Sequence, residues 1–240
     1  MMIVALGITT EGVKVPLGLW EGDTENATVV KALLSDLLDR GLDPAQGMLF
    51  VIDGSKALRK AIRSVFGERV AVQRCVRHKE RNVMDHLPES DRPAVKARLC
   101  RAWGETDHER ALEQLKRLAC DLERTHPGAA GSLREGMEET LTVIRLGIKG
   151  KLRRTLESTN PCESMIDCAR TTHRNVKRWR DGEMAMRWTA AGMLEAEKQF
   201  RKVIGYTQLP QLAIAIERQL TTLPQPDAVQ TEEAAIVAAA

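Results

Sequence analysis

The chain has 240 residues, 43% of them hydrophobic and 29% charged, with a net charge of +3. That length supports one large or two small domains, and no apolar run approaches the roughly 20 residues that cross a bilayer. The N-terminus shows no basic segment leading into an apolar one, and the five cysteines, odd in number and without a paired framework, fit a reducing compartment. The sequence therefore reads as cytoplasmic, with no membrane partner.

The charge is segregated. Between Gly54 and Asn82 nine Lys and Arg face two Glu, and between Lys149 and Arg180 nine more face three acidic residues, so the rest of the chain is net acidic. Each basic segment alone is most simply a solvated face. Two of them in an otherwise acidic chain point to a polyanion, because Lys and Arg set against phosphates release condensed counterions.

In chain order, Met2 to Thr9 reads as a buried strand, Glu11-Gly12 as a turn and Val13 to Trp20 as the hairpin partner, with Pro16 marking an edge or a bulge. Thr24 is placed to cap a helix from about Ala27 to Arg40, and Gly41 stands where helices end. The run Met48-Leu-Phe-Val-Ile52 then stops abruptly at Asp53. Bounded by Gly47 and Gly54, it reads as a strand buried on both faces, and Ser55 opens a helix through Leu58, Ile62 and Phe66. A further strand, Arg69 to Cys75, completes a β-β-α-β-α-β order and a mixed sheet.

Ligands and metals collect beyond the carboxyl ends of such strands, which makes Asp53 a candidate cation site. An Asp before Gly-Ser is equally a turn former or a helix cap.

From Glu89 to about Lys149 the pattern is helical. Stripes at Val95, Leu99, Ala102 and Trp103, at Ala111, Leu115, Leu118 and Leu122, and at Leu133, Met137, Leu141 and Ile144 describe an all-α insertion. Trp103 is read as core rather than as a base-stacking platform. Lys149 to Glu157 reads as a basic loop, leading to Ser158-Thr-Asn-Pro-Cys-Glu-Ser164. With Asn160 as cap and Pro161 at the first helical position, Glu163 has the spacing of a capping box. Alternatively Glu163 projects into the Asp53 site and binds metal. A long helix from Gly182 to about Val203, a short one over Leu209 to Leu220 and a disordered tail from Pro224 complete the expectation. The divisions are 1–88, 89–150, 151–205 and 206–240.

Several motifs together resemble the Mutator-like transposases of bacterial insertion sequences, which are DDE recombinases with an RNase H-like fold. They are Ala5-Leu-Gly-Ile8, Val51-Ile-Asp-Gly54, Gln73-Arg-Cys-Val-Arg-His-Lys79, the Ser158 to Ser164 run, and Arg187-Trp-Thr-Ala190 with Phe200-Arg201 and Gly205-Tyr206. The resemblance implies an α/β, RNase H-like mixed sheet with flanking helices, interrupted by the helical insertion. It implies catalytic Asp53 and Glu163 holding two Mg²⁺ or Mn²⁺ ions, with Cys75, His78 and Asn160 as family-motif positions, and His78 is read as a further catalytic residue that orients the site or touches a phosphate. Cys75 and His78 make half a zinc site without a second half, so no structural zinc is expected. Lys56, Arg74, Arg77, Lys79, Arg81, Lys151, Arg153, Arg154, Arg170, Arg174, Lys177 and Arg178 are the expected DNA contacts. The implied partners are double-stranded DNA, at transposon ends and target, and a second copy in a DNA-bound homodimer, in the cytoplasm with the nucleoid.

In that family the first catalytic Asp sits on a strand that would precede Met2. The first strand therefore reads as missing, either because the start is assigned too late or because the chain is an N-terminally truncated remnant, with little or no DNA cleavage by the chain as written. Two other readings remain: a non-catalytic DNA-binding remnant that competes with a full-length transposase, and a poorly folded fragment.

Overall fold

The computed structural model describes residues 2–22, 27–67, 70–176 and 178–222. Thr24, Arg69, Lys177 and the tail from Pro224, each given a role above, lie outside them.

The chain opens with the hairpin β1 (Met2–Ile8) and β2 (Lys14–Glu21), paired antiparallel. Its register shifts between Ala5 and Leu6, which face Gly18 and Pro16, so Leu17 is an extra residue and the bulge sits at the proline. Helix α1 (Ala27–Asp39) follows, then β3 (Leu49–Ile52), α2 (Lys56–Phe66) and β4 (Ala71–Arg74). β3 and β4 pair in parallel, as a strand-helix-strand crossover requires.

The expected mixed sheet is present as two separate two-stranded ladders, and no ladder among the described residues joins β1 to β3. Side chains rather than hydrogen bonds connect them. Ile3, Ala5 and Leu17 of the hairpin and Phe50 of β3 pack on one core with Val30, Leu34, Ile52 and Val72. Helix α1 bridges the two ladders, lying against β2 and α2.

Next come α3 (Val76–Met84), α4 (Arg92–Gly104), α5 (His108–Glu123), α6 (Pro127–Arg134), a 3-10 turn Glu138–Leu141 and α7 (Thr142–Arg145). The three apolar stripes of this segment form a core of their own, in which Leu99, Leu115, Leu133 and Leu141 are fully buried. Burial stabilises by about 1.5–3 kcal/mol for each such side chain. Trp103 belongs to it, its indole N–H donating to Thr140 Oγ1 at 3.1 Å.

The stretch read as a basic loop is instead α8 (Gly150–Leu156). Leu152 and Leu156 are buried one turn apart, which fixes a helical period where the charges had suggested a loop. Helices α9 (Asn160–Thr172), α10 (Gly182–Glu197) and α11 (Leu209–Thr222) complete the described chain. α10 ends well before Val203, and Phe200 beyond it packs on the cluster of Met165, Ala169 and Met193. α9 and α10 cross at Gly192, where an added Cβ would lie 2.8–2.9 Å from Ala169 Cα, Cβ and O. No helix among the described residues is long and apolar enough to cross a membrane.

Candidate catalytic centre

Asp53 stands at the carboxyl end of β3. The backbone link to the neighbouring strand extends one residue beyond β4, with Cys75 N donating to Ile52 O at 2.7 Å. Asp53 follows and is exposed. Gly54 turns the chain at φ +112, a conformation that favours glycine. Asp53 Oδ1 accepts from Ser55 N at 2.9 Å, and Ser55 Oγ accepts from Leu58 N at 3.2 Å to cap α2. The aspartate thus shapes its turn with one carboxylate oxygen while presenting its side chain to solvent.

Glu163 lies in the first turn of α9. The capping box expected from Asn160 is not formed: Asn160 is the first helical residue, Thr159 takes the capping position, and no side chain caps the end. Pro161 therefore stands second rather than first. Instead of folding back on Asn160, Glu163 Oε1 accepts from Thr159 Oγ1 at 2.7 Å, and His78 Nδ1 stands 3.7 Å from the same oxygen. Thr159 Oγ1 is also 3.4 Å from His78 Nδ1, so the three side chains form one cluster.

α3 brings His78 to this place. Its first amide, Val76 N, donates to Glu157 O at 2.9 Å, which ties the β4–α3 junction to the segment before α9. Cys75 is buried at that junction. Cys162 feels both carboxylates. Its thiol is pushed up to about 11, first by burial, then by the charge of Glu163, then by that of Asp53.

Three of the cations expected to face DNA are inside the protein. Arg74, 3% exposed, donates from Nε to Glu139 Oε2 at 2.7 Å and from Nη1 to Gly54 O at 3.3 Å. Lys79, also buried, donates from Nζ to Ser132 O and Glu135 O, both at 2.6 Å, closing the end of α6. Burial first, and then the charge of Arg74, lowers the Lys79 amine from 10.5 to about 8. Arg153 pairs with Glu157 and donates to the Trp103 and Glu105 carbonyls. Burial raises the pKa of Glu157 while Arg153 opposes the rise.

These three are corrections: each guanidinium or amine is spent on internal acceptors, because a buried charge must be paired. Lys56, Arg77, Arg81, Lys151, Arg154, Arg170, Arg174 and Arg178 are exposed, and Lys177 lies outside the described residues.

Glu139, Thr159 and Cys162 were missed in the sequence. Thr159 and Cys162 lie within the Ser158 to Ser164 motif but were given no role of their own, and Glu139 carried a signal as an acidic residue inside the apolar stripe of Met137 and Leu141. Asp53 and Glu163 supply hard oxygen donors, the type that Mg²⁺ takes in ones and twos beside water and phosphate. Among the described residues no group of three or more His, Cys, Asp or Glu is arranged to hold a metal ion.

The fold is a mixed α/β one, with Asp53 exposed at a strand end and Glu163 in the first turn of α9 beside His78 and Thr159. The chain belongs to the Mutator family of transposases: the family model described as Transposase, Mutator family, matches residues 1–203. It is 28% identical over 169 residues to the transposase for insertion sequence element IS6120 of Mycolicibacterium smegmatis, covering 70% of this chain and 51% of that protein. It is 26% identical over 200 residues to the transposase for ISRM3 of Rhizobium meliloti, covering 83% and 49%. With the transposase for IST2 of Acidithiobacillus ferrooxidans it shares 27% over 176 residues, covering 73% and 57%. The chain thus spans about half the length of the curated relatives it matches.

Proposed function

We propose that residues 1–240 form the part of an insertion-sequence transposase that carries two of its metal-holding carboxylates, Asp53 and Glu163. The observation that carries this reading is that the β4–α3 junction bonds on one side to Ile52 O, the residue before Asp53, and on the other to Glu157 O, ahead of α9, while His78 of the same α3 stands 3.7 Å from Glu163. A divalent metal pair, when bound, activates the attacking oxygen and stabilises the leaving one in cleavage of transposon ends and strand transfer to target DNA.

The protein's own residues supply placement. Asp53 is fixed by the Gly54–Ser55 turn. Glu163 is aimed by the Thr159 hydroxyl, with His78 behind it as a positioning residue. Exposed Lys56, Arg77, Arg81, Lys151, Arg154, Arg170, Arg174 and Arg178 hold the duplex backbone around the acidic centre. The reacting complex is a homodimer on DNA, in the cytoplasm with the nucleoid.

The two ladders are, in this reading, halves of one RNase H-like sheet. An extended strand seated between β1 and β3 joins them and carries the third carboxylate beside Asp53. Without that carboxylate, cleavage by residues 1–240 alone is expected to be slight or nil.

Duplex binding in the presence and absence of Mn²⁺ tests the function. Two carboxylates at a phosphate-facing centre repel DNA until a cation neutralises them. Mn²⁺ therefore tightens duplex binding by the wild type. Asp53→Ala and Glu163→Ala bind more tightly without metal and gain less from it. Failure to bind duplex, or an equal response to Mn²⁺ in all three proteins, overturns the reading. Steep salt dependence with no metal response at all identifies the competing account, a DNA-binding protein without catalysis.

A further inference from the structure

We propose that the groove between α2 and the helical segment opposite it, built from α5, α6, the 3-10 turn and α7, is a separate track for phosphodiester backbone, receiving a DNA strand that leaves the Asp53 end of β3. The proposal rests on the DNA-processing reading above. It concerns residues outside the carboxylate centre: five of its nine cations belong to the basic segment from Gly54 to Asn82, and Lys116, Arg134, Arg145 and Arg218 lie outside both basic segments.

Three adjoining hollows of about 480, 630 and 1100 Å³ make up the groove. They are continuous: the first two share Lys56 and Glu135, and the second and third share Arg59, Arg63 and Gly136. The shallow end begins at Lys56, one turn beyond Asp53, and the deep end reaches Arg145 on α7 and Arg218 on α11. Any chain lying in it passes directly from the catalytic end of the strand along the length of α2.

The wall formed by α2 is a basic stripe. Lys56, Arg59, Lys60 and Arg63 recur at helical spacing and share one face. From Lys56 to Arg63 the helix rises about 10 Å, which spans about three phosphates at 3.4 Å per nucleotide of one strand. Lys116 on α5 and Arg145 on α7 extend the cationic lining on the facing side.

Across the three hollows nine Lys and Arg stand against four carboxylates. Arg134 is taken up by Glu123 outside the groove, and the lining still keeps an excess of positive charge. Glu139 alone receives Arg74 at 2.7 Å, Arg63 at 3.4 Å and Arg59, so three guanidiniums converge on a single carboxylate. Glu135 adds only distant pairings, 3.7 Å from both Lys56 Nζ and Arg74 Nη1. An ordinary solvated basic face is convex and alternates in sign. This one is concave, partly walled by Val72, Leu112 and Ala119, and strongly one-signed. Low-dielectric walls concentrate such a field and raise the local concentration of an anion. The repeated spacing along α2 favours a polyanion backbone over a single small phosphate.

The test uses the whole chain and duplex DNA, with binding followed by fluorescence anisotropy across a salt series. A groove variant carries Lys60→Gln, Lys116→Gln and Arg145→Gln, all exposed positions away from the Glu139 cluster. A catalytic-side variant carries Arg77→Gln, Arg81→Gln and Arg154→Gln. A charge control carries Arg98→Gln, Arg117→Gln and Lys198→Gln, which lie outside the groove. Thermal melting confirms that each retains the wild-type fold.

With three phosphate-neutralising cations removed, the slope of log affinity against log salt becomes shallower by about 2.7 in the groove variant. The control keeps the wild-type slope. A groove variant indistinguishable from wild type or from the control overturns the groove and leaves the DNA-processing function standing if the catalytic-side variant is weakened. A wild-type chain that binds no duplex overturns both.

Discussion

Glu139→Gln is the perturbation that most directly probes how the helical segment holds the Asp53 turn. The carboxylate belongs to the 3-10 turn before α7, and Arg74, which it binds at 2.7 Å, donates in turn to the carbonyl of Gly54 at 3.3 Å. Removing the negative charge leaves Arg74, 3% exposed, with the Glu135 carboxylate, 3.7 Å away, as its remaining acidic partner among the described residues. Breaking a buried ion pair from one side costs about 3–5 kcal/mol. The contributions of Arg59 and Arg63, 42% and 29% exposed, are discounted for solvent screening. The loss is therefore set at the lower end, about 3 kcal/mol, or a fall of about 6–12 °C in melting temperature for a chain of this size. Urea unfolding followed by circular dichroism measures it. A loss below about 1 kcal/mol would refute the reasoning, because it would mean that Arg74 finds other compensation.

Three further predictions each turn on a single interaction. Lys79 has its amine lowered from 10.5 to about 8 by burial, so between these values the unfolded chain holds more protons than the folded one. Stability then rises with pH over that window, by at most about 3 kcal/mol. Denaturation at stepped pH should show this rise in wild type and not in Lys79→Met; a fall with pH in wild type relative to the variant contradicts the assignment. Gly192→Ala drives a Cβ to within 2.8–2.9 Å of Ala169. Overpacking of about 1–3 kcal/mol should outweigh the roughly 1 kcal/mol gain in helix propensity. Calorimetry should find a lower melting temperature, partly restored by adding Ala169→Gly; an unchanged or higher value would show that α9 and α10 part freely. Thr159→Val removes the hydroxyl that holds Glu163 at 2.7 Å. Mn²⁺ affinity should drop by up to about tenfold with little change in melting temperature, and unaltered affinity would rule Thr159 out as a positioning residue.

Local patterns were legible where one element's own spacing decides the outcome. The bulge at Pro16, the stripes that became the helical core, and the turn after Asp53 all follow from period, proline chemistry and glycine. What escaped the sequence depends on partners far along the chain. Arg74 counted as a DNA contact because it lies in a basic run, yet its acceptor is Glu139 in a different segment. Lys79 meets the end of α6 in the same way, and Arg153 is drawn inside by Glu157 together with carbonyls of α4 and the turn after it.

The first turn of α9 is a different kind of miss. Asn-x-x-Glu has capping-box spacing, but Thr159 and His78 compete for the Glu163 carboxylate, and the local motif loses. The split of the sheet is likewise invisible in strand propensity. β1 and β3 each have strand character, and among the described residues no ladder joins them.

Calorimetric titration of Mn²⁺ into the 240-residue chain, beside Asp53→Ala and Glu163→Ala, tests the account at its centre. The proposed convergence of these carboxylates predicts that wild type binds the ion and that either substitution abolishes or sharply weakens binding. No binding by wild type, or variants that match it, would reduce Asp53 to a turn residue and Glu163 to an acidic group of the first helical turn, and would contradict the account.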